Sequence, residues 1–434
     1  MNSENCAIRC MRVMTKGCPR PLRHRCGSRT SKLREVRRWA AAEQVPAASD
    51  GISLARSVTE HVRRTGKHFL PDHLLIQLSE IRRRHSEGRP LLDAFLDCAL
   101  DKHEGRFWNR TYLSLPVLEL LMGGGQKSAS SAERMSTLLI SDIVRFEIEA
   151  ACGSGEGPGA GRPDEATLAT RLRHALRLAT QSHARPEAGS LPSRLGDVSR
   201  SRLEDLADQL PRPPATETWR WFDVTAQPVS LLHDEYFFIR VLQAHEMIFT
   251  ALAADVWAAI SELRARRPRG AAERIDHGVA LFERAAALFR IAATMRADQF
   301  SAFRQYTQGA SAIQSEQYKR FEILCGVPPA SRLQSAAFTS VPAVRAEAAD
   351  VGHDSLARAY RDLRGEGGIG PAERDRLDAA LSRLESRHQR WKSAHRSLAV
   401  RMLGDERGSG HTDGVPYLTR CLENRLFWQL GTSG

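Results

Sequence analysis

The sequence predicts an all-α fold, on two observations. Apolar residues recur at helical spacings of three and four almost throughout the chain after residue 50. Alternating runs rich in Val, Ile and Thr, which half-buried strands require, are missing from the sequence. With 434 residues, of which 42% are hydrophobic and 26% charged, the chain can bury a large core. This composition excludes a wholly disordered, collagen-like or disulfide-miniprotein class.

The individual helices follow from apolar spacing and from Pro, Gly and capping residues at their ends. They are predicted at 52–65, 72–85, 90–101, 112–122, 129–151, 165–183, 198–210, 233–266, 272–294, 298–306, 314–325, 353–364, 371–403 and 415–430. Two stretches dense in Gly and Pro, Gly153 to Pro163 and Arg185 to Pro192, predict linkers. The predicted units are a basic, disordered extension, N-terminal helices, a helical insertion and a helical core, at 1–50, 51–126, 127–215 and 216–434.

The positive charge of the chain is concentrated at its amino end. Residues 1–39 hold 11 Lys and Arg against 2 acids, a local excess of nine within the net charge of +12. The folded part is therefore nearly neutral, and a nucleic-acid partner is not expected. No uninterrupted apolar stretch approaches the roughly 18 residues that a bilayer span needs, so we predict no membrane partner and a cytoplasmic location.

The predicted helix 233–266 presents one face of possible functional interest. Phe238, Leu242 and His245 stand at i, i+4 and i+7, so they project to one side. This face either lines a pocket or belongs to the core, with His245 as a hydrogen-bonded packing residue.

The predicted helix 371–403 places two imidazoles on an apolar face, His388 and His395. Such histidines are usually structural, but neutral imidazole is also a common iron ligand in apolar cavities. The helix is followed by a polar, Gly-rich loop, Gly404 to Gly414, which is either a ligand-binding loop or a flexible connector.

A third segment, Asp298 to Glu322, combines two aromatic rings with a guanidinium. Phe300, Phe303 and Arg304 fall within about one helical turn of each other. Arg binds a carboxylate through two parallel hydrogen bonds, which suits an amino-acid substrate. The alternative is an ordinary surface salt bridge.

Together these segments resemble the tryptophan 2,3-dioxygenase superfamily of histidine-ligated haem proteins. The similar segments occur in the family's order, and they are RTYLSLPVLELL (110–121), HDEYFFIRVLQAHE (233–246), FSAFRQYTQGASAIQSEQYKRFE (300–322) and WKSAHRSLAVRMLGDERGSGHTDGVPYL (391–418). The resemblance implies a helical haem domain like that of the family, with a helical insertion between the first two segments. It also implies haem b as cofactor, with His395 as the iron ligand and Trp391 and Ser311 beside the haem.

The resemblance also implies a substrate pocket for an aromatic amino acid. Arg304 matches the arginine that binds the substrate carboxylate, and Ser409 matches a threonine near the ammonium group. Phe238 and Phe300 match pocket-lining aromatic residues. Leu242 departs from the family, because it replaces a distal histidine that accepts a hydrogen bond from the indole N–H.

This departure favours a haem-dependent tyrosine hydroxylase of secondary-metabolite biosynthesis, a related branch that adds one oxygen atom to a phenol. The expected partners are tyrosine or a derivative and dioxygen or hydrogen peroxide, with His245 as a catalytic proton acceptor. Oxidative cleavage of an indole ring is the alternative, and a non-catalytic haem-binding protein is a further one. A homo-oligomer, dimer or tetramer, is expected because members of the family assemble.

Overall fold

The chain folds from α-helices, and no β-strand occurs in the part that the structure describes, which confirms the predicted all-α class. The computed structural model describes residues 33–44, 46–47, 50–106, 108–123, 128–153, 161–180, 198–307, 309–408, 410 and 412–431. The helices are α1 (Arg34–Ala41), α2 (Asp50–Thr65), α3 (Asp72–His85), α4 (Pro90–Ala99), α5 (Asn109–Tyr112), α6 (Leu115–Leu121), α7 (Ala129–Ala151), α8 (Glu165–Thr180), α9 (Arg200–Gln209), α10 (His233–Arg264), α11 (Pro268–Ala292), α12 (Ala297–Arg304), α13 (Glu316–Cys325), α14 (Ala330–Leu333), α15 (Ala336–Thr339), α16 (Pro342–Ala349), α17 (Leu356–Gly365), α18 (Pro371–Leu403) and α19 (Val415–Cys421).

The long helix α10 lies at the centre of the fold. It packs against α7, α11, α13 and α17, and α11 in turn packs against α18. Among the described helices only α10 is long and apolar enough to span a bilayer, but 83% of its apolar stretch is buried by the surrounding helices. Its apolar character is therefore explained by its central position.

The helices of the predicted insertion are part of this core. Arg171 of α8 is fully buried and donates hydrogen bonds to Glu147 of α7 (2.6 Å) and to Asp234 of α10 (2.9 Å). Glu147 also lies 3.0 Å from the Nε2 atom of His233. Because these buried charges join α7, α8 and α10, the described helices of the predicted insertion pack into the same core as the helices that follow residue 216. The linker Arg185 to Pro192 lies outside the described residues.

The amino-terminal extension also departs from expectation. Residues 34–41 form a helix instead of a disordered segment, and Val36 and Trp39 are fully buried. These two side chains stand at i and i+3 on one face, and the Trp39 ring lies 5.8 Å from that of His85 on α3. Burial of this apolar face offsets the repulsion among the neighbouring arginines. Residues 1–32 lie outside the described part.

Replacement of Arg171 with methionine is expected to lower the free energy of unfolding by about 3 kcal/mol, because it leaves two buried carboxylates without their cation. Urea denaturation followed by circular dichroism measures this change. The control is Arg200→Met, which removes a solvent-exposed pair with Glu204 and should leave the midpoint unchanged. Equal midpoints for Arg171→Met and the unmodified chain would show that the network does not stabilise the core.

Candidate active site

A largely apolar cavity lies between α10, α11, α12 and α18, and Gly408, Thr412 and Gly414 of the segment that follows α18 border it. Eight residues predicted to form the site line it, namely Phe238, Leu242, His245, Phe300, Arg304, Ser311, Trp391 and His395, and five of them, Phe238, Leu242, Phe300, Arg304 and His395, form its walls, rim and candidate iron ligand. These five come from three helices that are far apart in the sequence. The structure therefore brings together the iron ligand, the aromatic wall and the guanidinium that the sequence predicts.

His395 presents a neutral imidazole to this cavity. Its ring stacks on Phe289 of α11, with centroids 5.3 Å apart and planes 12° apart, and lies 5.8 Å from the Trp391 ring one turn earlier. Neither ring nitrogen has a hydrogen-bond partner among the described residues. Burial lowers the pKa of His395 to about 4, so the ring keeps a free lone pair near neutral pH. A neutral, oriented imidazole is what an iron ligand requires.

Arg304 lies at the rim of the cavity, in the last turn of α12. Its Nη1 atom donates to the Glu406 carboxylate (3.1 Å), and its Nη2 atom donates to the backbone carbonyl of Arg407. The side chain is only 17% exposed. The guanidinium thus ties residues 406–407 to α12, and its charge is paired with an acid of the same chain.

Three aromatic rings and Leu242 form an apolar wall. Phe238 lies one turn before Leu242 on α10, and its ring centroid is 5.6 Å from that of Phe300 and 5.4 Å from that of Phe303. Phe238, Leu242 and Phe300 are all only partly buried, because part of each side chain borders the cavity. The wall can exclude water from a bound aromatic ring and contact its faces and edges.

His245 does not present a free nitrogen to the cavity. Its Nδ1 atom lies 3.1 Å from the backbone carbonyl of Val241, and its Nε2 atom lies 3.1 Å from that of Ala285 on α11. Burial lowers the pKa of His245 to about 4, although both carbonyls oppose this shift. The geometry thus supports the packing alternative, in which the ring joins α10 to α11. The catalytic role of His245 stays a prediction without a contact that supports it.

The two other residues expected beside the haem differ in their surroundings. Ser311 is buried at the edge of the cavity and caps the short 3₁₀ helix Ala312–Gln314, where its hydroxyl accepts from the Ile313 N–H. Trp391 is buried, and its indole N–H has no hydrogen-bond partner in the described part of the chain. Ser409, the residue predicted beside the substrate ammonium, lies outside the described residues.

Sequence reasoning missed a carboxylate that also borders the cavity. Glu246 of α10 is buried and accepts hydrogen bonds from Ser315 (2.9 Å) and from the side-chain amide of Asn109 (3.3 Å). Burial raises the pKa of Glu246 to about 7. Its position one turn after Leu242 was a signal that could have placed it on the cavity face. Asn109 and Tyr112 show that the amino-terminal segment 109–113 of this chain lines its own cavity.

Glu246 is expected to make the protein less stable as the pH rises. An acid whose pKa is higher in the folded than in the unfolded state stabilises the fold below its unfolded pKa, and this contribution is lost as the pH rises through the folded pKa. The free energy of unfolding is therefore expected to fall by about 3 kcal/mol as the pH rises from about 4.5 to above 7. Glu246→Gln should abolish most of this dependence, whereas Glu262→Gln at the surface of the same helix should retain it. Urea midpoints near pH 5 and pH 8 measure the difference, and identical pH profiles for Glu246→Gln and the unmodified chain would contradict the prediction.

Comparison with known proteins finds similar sequences over part of this chain. A family model described as tryptophan 2,3-dioxygenase matches residues 224–345. The tryptophan 2,3-dioxygenase of Bordetella parapertussis is 27% identical over 241 residues, which cover 48% of this chain and 85% of the relative. The enzyme of Bordetella pertussis is 28% identical over 240 residues (47% and 84%), and that of a Polaromonas species is 27% identical over 241 residues (48% and 82%). These similarities support membership of the tryptophan 2,3-dioxygenase superfamily.

Members of the tryptophan 2,3-dioxygenase superfamily are haem-iron enzymes, which is consistent with haem b as the cofactor here. The cavity fits this group, because it combines apolar walls with the His395 imidazole and the Trp391 indole N–H, neither of which has a hydrogen-bond partner among the described residues. The described residues contain no group of three or more His, Cys, Asp and Glu side chains that could hold a metal ion. An iron held by a porphyrin and a single imidazole is consistent with this arrangement.

Proposed function

We propose that this chain is a haem-dependent dioxygenase that opens the indole ring of tryptophan or of a close derivative. The observation that supports it most is the single cavity in which an unpartnered imidazole, an apolar aromatic wall and a guanidinium meet. Relatives that match about half of the chain are named tryptophan 2,3-dioxygenase. They favour ring opening over the tyrosine hydroxylation that the sequence analysis placed first.

His395 would hold the haem iron through whichever ring nitrogen faces the cavity. Haem bound there supplies an iron atom that activates dioxygen for transfer to an aromatic ring. Phe289 fixes the imidazole plane by stacking and the tilted Trp391 ring contacts it, so little orientational freedom has to be lost when the iron binds. Phe238, Leu242 and Phe300 keep the reacting ring away from water, which would otherwise consume the oxidant.

Arg304 would orient the substrate by binding its carboxylate at the rim of the cavity. A guanidinium offers two parallel N–H donors to a carboxylate, and the attraction is strong where the side chain is mostly shielded from solvent. The substrate carboxylate must displace Glu406, which makes the same kind of contact in the structure. Binding of the substrate is therefore coupled to the position of the loop 404–414.

Hydroxylation of tyrosine or a derivative is the second candidate, and it is favoured by Leu242. This side chain borders the cavity on the face of α10 where the superfamily resemblance places an indole-binding histidine. It cannot accept a hydrogen bond from an indole N–H. His245, three residues later, has both ring nitrogens within 3.1 Å of backbone carbonyls and does not replace that contact.

Product mass decides between the two candidates. The haem-loaded protein is incubated with tryptophan, tyrosine and methylated tyrosines under isotopically labelled dioxygen, or with hydrogen peroxide as an alternative oxidant. Retention of two labelled oxygen atoms in a product of tryptophan supports ring opening, whereas one atom in a product of tyrosine supports hydroxylation. A normal haem spectrum with no spectral change and no product for any of these compounds would indicate a non-catalytic haem-binding protein.

Leu242→His should distinguish the candidates further. If the cavity accepts indoles, the new imidazole can accept the indole N–H, and kcat/KM for tryptophan should rise about tenfold, since a hydrogen bond in such a site contributes about 1–1.5 kcal/mol. Leu242→Asn is the control, because it adds polarity at nearly the same volume without the reach of an imidazole. A gain for tyrosine but not for tryptophan would argue against the indole as substrate.

A further inference from the structure

Three buried cations border the cavity on the side of α13, α14 and α19. None of them has a role in the proposed function. Lys319, Arg332 and Lys392 are 3%, 8% and 6% exposed, and all three line the same cavity as His395. Lys392 lies three residues before His395 on α18, so the two side chains project from neighbouring positions of one helix. A ligand held at His395 is therefore close to this cluster.

The cluster holds more positive than negative charge. Glu322 is its buried carboxylate, which accepts a hydrogen bond from Lys319 (3.0 Å) and, through its two oxygens, from the Nη2 group of Arg332 (2.9 and 3.1 Å). Burial alone would raise the pKa of Glu322, but Arg332 and Lys319 lower it to about 2, so the carboxylate is ionised. The ammonium of Lys392 donates instead to the backbone carbonyls of Cys421 and Asn424. Glu385, the next acid, accepts from the backbone N–H groups of Leu426 and Phe427.

Arg332 has one donor group without an acceptor. Its Nε atom is buried and has no hydrogen-bond partner in the described part of the chain, whereas its Nη1 atom donates to the Cys421 thiol at 3.9 Å and the Tyr417 hydroxyl also contacts the guanidinium. A buried donor without an acceptor is costly. The Nε–H group is therefore available to one carboxylate oxygen of a ligand, although Glu322 already pairs with Nη2.

We propose that Arg332, with Lys319 and Lys392, forms a buried carboxylate-binding subsite, and that it receives a propionate of haem. Haem b carries two propionates, and the amino-acid substrate carries one carboxylate, for which Arg304 is already proposed. The subsite rests on the haem site of the proposed function but not on which aromatic ring is oxidised. It gives the cavity a polar end that fixes the orientation of the haem in its plane.

The test compares haem with haem dimethyl ester, in which both propionates are neutral. Transfer of either porphyrin from the protein to apomyoglobin is followed by visible absorption. For the unmodified chain, esterification is expected to speed the loss of porphyrin by roughly 10–100-fold, in line with a lost charge-assisted contact. For Arg332→Met the loss of haem itself should be faster by a similar factor, and esterification should add little. Arg320→Met, on the same helix as Lys319 but paired with Glu347 at the surface, is the control and should behave as the unmodified chain.

Lys319→Met provides a second variant, in which Glu322 keeps its contact with Arg332, in case Arg332→Met does not fold. A reduced effect of esterification in either variant supports the subsite. An effect of esterification that is unchanged in every folded variant would overturn it.

A second experiment compares the binding of tryptophan and tyrosine with the binding of their methyl esters. If Arg332→Met removes the preference for the free acids while Arg304→Gln does not, the subsite receives the substrate and the propionate assignment is wrong. Haem that remains bound after His395→Ala would contradict the haem site itself, a different outcome from insensitivity to esterification.

Discussion

Replacement of His395 with alanine is expected to yield a protein that purifies without its haem absorption, with the porphyrin content at least tenfold below that of the unmodified chain. The imidazole is the one described side chain of the cavity that combines a free neutral lone pair with a position fixed by stacking on Phe289 and by contact with the tilted Trp391 ring. Without it, the iron loses its protein ligand and the haem is held by apolar contacts and its propionates alone. Absorption in the Soret region, normalised to protein concentration, measures the effect.

His388→Gln is the matched control, because His388 belongs to the same helix and the same predicted apolar face. Its Nε2 atom lies within hydrogen-bond distance of the Tyr318 hydroxyl, at 2.9 Å, and a glutamine amide can donate to or accept from that hydroxyl. This variant should keep its haem. Addition of free imidazole should restore absorption to His395→Ala, since the small ligand can enter the space left by the side chain. Unchanged haem content in His395→Ala would remove the basis of the proposed site.

The sequence predicted the long helices well, because their ends carry local signals. Helix α18 begins at Pro371 and ends before Gly404, whose φ of 54° suits a residue without a side chain, and its predicted bounds are correct at both ends. Helix α7 was also predicted correctly, at 129–151. Helices α14 to α16 were not predicted, since each has at most eight residues and depends on buried side chains such as Phe338 and Val344 from distant contacts.

The site was predicted from sequence motifs and helical spacing. Helical spacing alone does not show which residues of one face have groups free for a ligand. Phe238, Leu242 and His245 share one helical face in the sequence, but only the first two border the cavity with groups free for a ligand. Spacing cannot distinguish a histidine that faces a cavity from one whose nitrogens meet backbone carbonyls of an adjacent helix. Charged residues such as Arg171 and Arg332 likewise look like surface positions until the long-range fold supplies their buried partners.

Replacement of Arg304 with glutamine is expected to weaken binding of the aromatic amino acid by roughly 10²–10³-fold, about 3–4 kcal/mol, since a largely buried substrate carboxylate would lose a bidentate, charge-assisted contact. Titration of the haem-loaded protein with tryptophan and tyrosine, followed by the change in the visible spectrum, gives the Kd. Arg304→Lys should recover only part of the loss, because an ammonium is a point charge without the planar fork of a guanidinium.

The matched variant is Glu406→Gln, which removes the internal carboxylate that Arg304 contacts at 3.1 Å without removing the guanidinium. If Glu406 competes with the substrate, this change should tighten binding severalfold, and Arg304→Gln/Glu406→Gln together should show no such gain. A methyl ester of the substrate should bind the unmodified chain and Arg304→Gln equally weakly. A Kd that is the same for Arg304→Gln and the unmodified chain would mean that Arg304 serves only to hold the loop 404–414, and the orientation of the substrate would then have to come from another cation of the cavity.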